Sequence, residues 1–282
     1  MQKLSLKPND LFSLKVKSAL LTGAAGFFGG YFARALLSAG VSSLYITDRK
    51  EEVIKDLADQ LKEEFPDALI CPAWVDQYDH RDVEIFTRGV SLIDILVNNA
   101  FDFSQATGFS NNPNGRIEKI DYEQFEKSMD SGIYWPLQLI QIFGNRAKEK
   151  KRPLSVVNIG SMYSFVAPNP NLYEGMEYVN APGYSMAKAA LIAQTRYVAS
   201  FMGPIVRANA ICPGAIPNRE KQSNNSKQNE DPTFMQRLID RTLLKRVGHP
   251  NDLVGALIYL ASDASSYMTG QSIIIDGGWT IT

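Results

Sequence analysis

The run LLTGAAGFFGGYFARALLSAG, residues 20–40, decides the fold. An aliphatic, strand-like stretch gives way to a turn punctuated by Gly23, Gly26 and Gly29, and then to an alanine- and leucine-rich segment of helical periodicity. Glycines between a strand and a helix bring backbone N–H groups and the positive end of the helix dipole to one point, where a pyrophosphate binds. The same glycines would serve a tight, closely packed turn with no ligand. The following strand favours the ligand: SSLYITD (42–48) ends on Asp48, about 20 residues past Gly29, where a carboxylate accepts hydrogen bonds from an adenosine ribose. Asp48 argues for NAD over NADP, because a carboxylate repels a 2′-phosphate, with Arg49 and Lys50 beside it as a partial offset.

Outward from that unit the pattern repeats. β-Branched or aliphatic runs at 16–22, 42–48, 68–76, 93–100, 154–161, 206–214 and 271–278 alternate with helical patterns near 28–39, 50–64, 80–90, 121–149, 184–202, 233–244 and 251–262. Separations of this length suit right-handed βαβ crossovers, and near-continuous apolar strands suit a sheet covered on both faces. The expectation is an α/β protein of Rossmann type: a doubly wound, seven-stranded, mostly parallel sheet with helices on both faces, forming a single NAD(P)-binding domain over 1–282. Polar insertions at about 101–120, 162–183 and 215–232 all follow strands and so fall at the carboxyl edge, where such sheets bind ligands. The last, with its Asn, Gln, Lys and Ser, reads either as a lid or as a disordered tract.

Charge and composition narrow the partners. The 29 basic and 30 acidic residues are mixed along the chain and leave a net charge of -1, so no basic face offers itself to nucleic acid or an anionic membrane. A small-molecule substrate is expected. Cys71 and Cys212 show no CxxC or metal-ligand spacing and sit in apolar surroundings, as small buried thiols do, so no metal is expected and a reducing, cytoplasmic setting fits. The first residues carry scattered lysines without a sustained apolar run, and no segment approaches the ~20 apolar residues of a membrane span.

Within VNAPGYSMAKAALIAQTRY (179–197), Tyr184 and Lys188 stand one helical turn apart. On residue pattern alone they are an acid/base pair on one helix face, or two members of an ordinary amphipathic helix. Asp76 and Asn98-Asn99-Ala100, at the ends of the third and fourth strand candidates, read likewise as ligand contacts or as turn formers. The motifs taken together are more specific. TGAAGFFG, WVDQ, LVNNA, VVNIGS, YSMAK, ANAICPGAI and RVGHPNDLVGALIYLASDASSYMTGQSIIIDGG follow one another from Val16 to Thr280 in an order that resembles the short-chain dehydrogenase/reductase family, in its single-domain branch.

The resemblance implies an NAD(P)-dependent oxidoreductase acting on CH–OH groups, with Ser161, Tyr184 and Lys188 as its catalytic residues. Hydride transfer between nicotinamide and an alcohol carbon requires a proton to leave or join the substrate oxygen, and a phenol of pKa about 10 is a poor base at neutral pH. On this reading the Lys188 cation lowers the Tyr184 pKa from one turn away, and Ser161 holds the substrate oxygen in line. The resemblance places the cofactor against Gly23, Gly26, Phe28, Gly29, Asp48, Arg49, Asp76, Asn98, Ala100, Tyr184, Lys188, Pro213, Gly214 and Ile216. Asp76 and Asn98 would serve the adenosine, and Pro213, Gly214 and Ile216 would flank the nicotinamide ring. It also implies a homo-oligomer, a dimer or tetramer packed through the 184–202 helix and its neighbour at 121–143.

Four departures from the family pattern stand out. The glycine spacing is that of the longer, sugar-nucleotide-modifying branch, here a local variant. The asparagine common in the fourth helix is replaced by Gly132 in MDSGIYWPLQ, four residues before a proline. Pro136 has no N–H to offer the Gly132 carbonyl, so the helix should bend there, and the freed carbonyl is expected to hold a relay water for Lys188. Asn218 stands where a threonine contacting the nicotinamide carboxamide is common. Ser161 and Tyr184 are 23 positions apart, where the family shows a little over half that.

That last insertion, MYSFVAPNPNLYEGMEYVNAPG, brings Tyr163, Tyr173, Glu174 and Tyr178 to the substrate's side, groups suited to a hydroxylated ligand, or else forms a lid or an oligomer contact. Its PNxxLYEGM wording is similar to family members associated with bacterial surface-sugar or flagellin-glycan modification. The expected function is hydride transfer to or from a secondary alcohol or ketone of a polar, sugar-like metabolite, with Tyr163, Tyr173 and Asn218 as candidate substrate contacts. Two alternatives stay open: an epimerase or dehydratase using transient hydride transfer, and a catalytically impaired NAD-binding regulator or scaffold.

Overall fold

A computed structural model of the chain describes residues 8–109, 115–176, 179–218 and 231–282. Seven strands form one all-parallel sheet: β1 (Ser18–Thr22), β2 (Ser43–Asp48), β3 (Leu69–Trp74), β4 (Ile95–Asn98), β5 (Leu154–Ile159), β6 (Val206–Pro213) and β7 (Ser272–Ile275). Their spatial order is β3-β2-β1-β4-β5-β6-β7. The winding therefore reverses between β1 and β4, which opens a crevice at their carboxyl ends. The helices are α1 (Pro8–Leu11), α2 (Phe27–Ser38), α3 (Glu51–Glu64), α4 (His80–Gly89), α5 (Tyr122–Met129), α6 (Trp135–Lys150), α7 (Pro182–Met202), α8 (Pro232–Arg241) and α9 (Asn251–Ala261).

Side chains alternate across the sheet with the period of a strand. Ala19 and Leu21 of β1, with Ile95 and Val97 of β4, face a core closed by Phe32 and Leu36 of α2, Ile54 and Leu61 of α3, and Leu253 and Leu257 of α9. Leu20 and Leu96 face the other way, onto Leu139 and Phe143 of α6 and Val198 of α7. Burial of each such side chain stabilises the fold by about 1.5–3 kcal/mol, which explains why the central strands are apolar on both faces. Helix starts are set by acidic caps: Asp79 accepts from the Arg81 N–H, Asp121 from Gln124 and Asp231 from Thr233 and Phe234. At the opposite end of the sheet from the crevice, Asp94 takes a bidentate pair from Arg152, at 2.8 and 2.7 Å, and the Ser18 N–H at 2.8 Å, tying β1, β4 and β5 together.

The edge strand β3 departs from the apolar pattern, since Leu69 and Trp74 are exposed, and it contains Pro72. The N–H groups of Leu69 and Val75 point at β2, bonding Ser42 O and Asp48 O, so by the period of two the nitrogen of Pro72 faces outward.

The single helix expected over 121–149 is two helices joined by a π-turn at Asp130–Tyr134, in which the Trp135 N–H reaches back to Asp130 O. Pro136, just after it, withholds the N–H that a regular helix needs, and the backbone widens to compensate. Gln194 of α7 donates to the Ile133 carbonyl at 2.9 Å, so a neighbouring helix satisfies what the turn releases. Among the described residues no helix is long and apolar enough to cross a membrane.

Candidate active site

The glycine turn sits in the crevice. Gly23 has φ +62, and a Cβ there would stand 2.8 Å from the Ala100 Cα, so the ends of β1 and β4 touch backbone to backbone. A Cβ on Gly29 would fall 2.3 Å from the Gly23 carbonyl oxygen, which binds the opening of α2 to the turn, while Gly26 caps that helix. Phe28 is half-buried beside Phe27 and Phe32. Asp48, at the end of β2, accepts the Ala25 N–H at 3.2 Å and the Arg49 N–H at 2.8 Å. The Arg49 guanidinium pairs with the buried Asp102 at 3.1 Å, and Tyr78 donates to the other oxygen of that carboxylate at 3.2 Å. Burial, and after it the Asp102 charge, push the Tyr78 phenol far above its ordinary pKa.

Asp76 accepts the Tyr78 N–H at 3.0 Å, and the Asn99 amide donates to the carbonyls of Thr22 and Gly23. Asp76 thus closes a local turn, and Asn99 ties the end of β4 to the end of β1. Asn98 begins a buried chain: it donates to Asn158 at 2.8 Å, Asn158 to Thr195 at 2.9 Å, and Thr195 to Leu191 O at 2.7 Å. The Asn98 side-chain oxygen is buried with no partner among the described residues.

Across the crevice, β5 ends at Ile159 and Ser161 opens a short turn, its Oγ accepting the Tyr163 N–H at 3.1 Å. Pro182 starts α7, which puts Tyr184 in its first turn and Lys188 in its second. The Ser161 hydroxyl lies beside the Tyr184 phenol and acts to lower its pKa. The Lys188 ammonium is buried and donates to Ile159 O at 2.6 Å. Burial lowers its pKa to about 8, with Cys212 pulling the other way. Part of Tyr184 reaches the surface, yet burial of the phenol pushes its pKa up to about 12, Ser161 opposing and Tyr163 and Cys212 adding. The expected depression of Tyr184 by Lys188 is therefore not found. Loss of water around the phenol outweighs it, and the ammonium rests on the Ile159 carbonyl, 5.7 Å from the centre of the tyrosine ring. Cys212 is buried, and burial pushes its thiol up to about 11.

Residues 162–176 of the insertion are a packed element. Tyr163 and Tyr173 act on each other, and burial raises both phenols. Met162 and Leu172 join Phe234, Met235, Leu238 and Trp279 in a third apolar cluster, and Arg237 of α8 clamps the loop through the carbonyls of Leu172 and Glu174, at 3.1 and 2.8 Å. Tyr178 lies outside the described residues, as do residues 219–230 of the third insertion. Gly214 extends the sheet by donating to Ile275 O at 2.8 Å, and Ile216 packs on Gly248. Asn218 ends this described run after Pro213 and is not without contacts.

Three side chains not foreseen crowd this place. Phe101, Phe103 and Phe109 surround Tyr184, with ring centroids 5.1, 5.6 and 5.5 Å from its own. The signal was present in FDFSQATGF: three phenylalanines in a polar loop, directly after LVNNA.

Comparison with known proteins agrees with the fold. A family model described as enoyl-(acyl carrier protein) reductase matches residues 23–280. A sorbose reductase of Candida albicans is 29% identical over 278 residues, covering 96% of this chain and 89% of that protein. The Rattus norvegicus protein named dehydrogenase/reductase SDR family member 6 is 27% identical over 269 residues, covering 95% and 99%. Among solved structures, a gluconate 5-dehydrogenase from Burkholderia cenocepacia in complex with NADP and tartrate superposes with a TM-score of 0.80 at 26% identity, covering 98% of this chain and 100% of that one.

Proposed function

The chain belongs to the short-chain dehydrogenase/reductase family of enzymes acting on CH–OH groups, and from that premise we propose that it moves a hydride between a nicotinamide dinucleotide and the alcohol or ketone carbon of a sugar-like metabolite, with Tyr184 as general acid/base. The observation that carries this reading is the cluster at the mouth of α7: the Ser161 hydroxyl acting on the Tyr184 phenol, with the Lys188 ammonium held one turn below on the Ile159 carbonyl.

The residues around the crevice fit a dinucleotide. A glycine turn with no room for a Cβ leads into the first turn of α2, the end of a helix that suits a pyrophosphate, Asp48 stands where a ribose would reach it, and the buried Asn98 oxygen has no donor among the described residues. When bound, the cofactor supplies or accepts the hydride. In reduction Tyr184 gives its phenolic proton to the substrate oxygen while Ser161 holds that oxygen, and in oxidation the proton returns. A phenol with pKa about 12 is protonated at neutral pH, the form that reduction requires, and Lys188 stabilises the phenolate left behind.

Two observations pull the cofactor choice apart. The Asp48 carboxylate favours the free 2′-hydroxyl of NAD, and Arg49 is already paired with Asp102, whereas the gluconate 5-dehydrogenase carries NADP. We retain NAD on the charge at Asp48; equal or tighter binding of NADPH than NADH by fluorescence titration would reverse that choice. The substrate wall has two characters, the hydroxyls of Ser161, Tyr163 and Tyr173 and the rings of Phe101, Phe103 and Phe109. Sugars and polyols present hydroxyls and C–H faces together, and similar chains named for sorbose and gluconate support that class. Copies of the chain associate through the outer face of α7, where Tyr197 and Phe201 stack in the open at 4.3 Å.

The test is turnover on a panel of ketoses, polyols and aldonates with both cofactors. Tyr184→Phe is expected to lower kcat by at least about a hundredfold while cofactor affinity holds. Turnover of an accepted substrate at the parent rate by that variant would remove Tyr184 from the chemistry.

A further inference from the structure

Phe101 stands directly after Ala100, where the chain leaves the end of β4, and three neighbours converge on its ring. One edge lies 3.3 Å from the position a Cβ would take on Gly132 of the π-turn. The Tyr184 ring meets it edge to face, centroids 5.1 Å apart and planes at 87°. The Lys188 Nζ lies over its face, 5.2 Å from the centroid. An ammonium carries three donors. Lys188 directs one at the Ile159 carbonyl, and the Phe101 and Tyr184 rings are the π faces beside it. A ring face carries negative potential, which attracts a cation most strongly where water is excluded, and Lys188 is buried. Gly132 belongs to the same arrangement: a Cβ there would stand 2.6 Å from the Ala187 methyl and press on the Phe101 ring.

We propose that Phe101 is a positioning residue whose ring face holds the Lys188 ammonium beside Tyr184, and that position 132 is a glycine because the Ala187 methyl, with this ring beside it, leaves no space for a Cβ. The proposal rests on the reading of Lys188 as the cation that serves Tyr184. The ionisable groups facing Lys188 are Cys212 from β6 and Tyr184 on its own helix, with Tyr163 acting on Tyr184 in turn. Burial lowers the Lys188 pKa and Cys212 opposes it, while the Ile159 carbonyl and the two rings face the charged form.

The experiment reads the lysine itself in the full-length chain. The 15Nζ resonance of Lys188, assigned by its disappearance in Lys188→Met, is titrated from neutral to alkaline pH. It is measured in the parent protein, in protein carrying trifluorinated phenylalanine at position 101, and in Phe101→Leu. Fluorination keeps the shape of the ring and weakens its face, so the midpoint is expected to fall from about 8 by about half a pH unit or more, with Phe101→Leu falling in the same direction. An unchanged midpoint in the fluorinated protein overturns the proposal, whatever Phe101→Leu does, because the leucine also alters packing. Since the signal needs no turnover, a failure of the Tyr184→Phe test and a failure here are separate results.

Discussion

Ser161 shows what one hydroxyl does at this site. Its presence beside Tyr184 is what opposes burial in setting that phenol, so Ser161→Ala should move the alkaline limb of the oxidative pH–rate profile to higher pH; a limb that stays in place or moves down would separate Ser161 from the phenol. Gly132 makes a prediction of a different kind. Gly132→Ala forces a methyl to within 2.6 Å of another on a neighbouring helix, a clash that no flexible side chain relieves. The expected loss is about 1–3 kcal/mol in urea unfolding. That Tyr184 and Lys188 lie one turn apart on a single helix was legible from their spacing, but their pKa values were not. Burial is set by rings and strands remote in sequence, among them Phe101 and Cys212, and their proximity to α7 exists only after folding.

At the scale of elements, Arg237 of α8 is one tie on residues 162–176, beside the apolar cluster of Met162 and Leu172. Arg237→Ala removes both of its bonds to the Leu172 and Glu174 carbonyls. The expected outcome is faster limited proteolysis within that loop and a several-fold higher KM for the carbon substrate, with cofactor affinity unchanged; equal loss of both affinities would mean the loop serves the whole crevice. Strands and most helices were readable because their apolar residues alternate or recur with the right period. The break at Asp130–Tyr134 was readable only in part. Pro136 announces a bend, yet nothing in the local pattern says that the chain answers with a π-turn or that Gln194 closes it, since that bond comes from 61 positions away.

At the scale of the molecule, Asp94 and Arg152 bind the end of the sheet remote from the crevice. Burial alone would raise the Asp94 carboxyl, but bonds from Arg152 and Ser18 overcome it and hold the net pKa below its ordinary value. A carboxyl depressed on folding contributes stability above its unfolded pKa and loses it as pH falls through the folded one. Arg152→Ala should therefore move acid unfolding to higher pH, with a neutral-pH cost of about 1 kcal/mol, kept small by the exposure of the arginine. For the association through α7, replacing Tyr197 and Phe201 with serine should shift light scattering toward the monomer, and an unchanged mass would place the contact elsewhere.

The outward nitrogen of Pro72 has a consequence for the life of the protein at high concentration. A free sheet edge is a template on which any extended chain can grow, and β3 would otherwise offer a row of outward donors at 70, 72 and 74. The proline removes the middle one, so a strand laid against this edge meets a gap in its hydrogen-bond ladder and aggregation by strand addition has no continuous place to start.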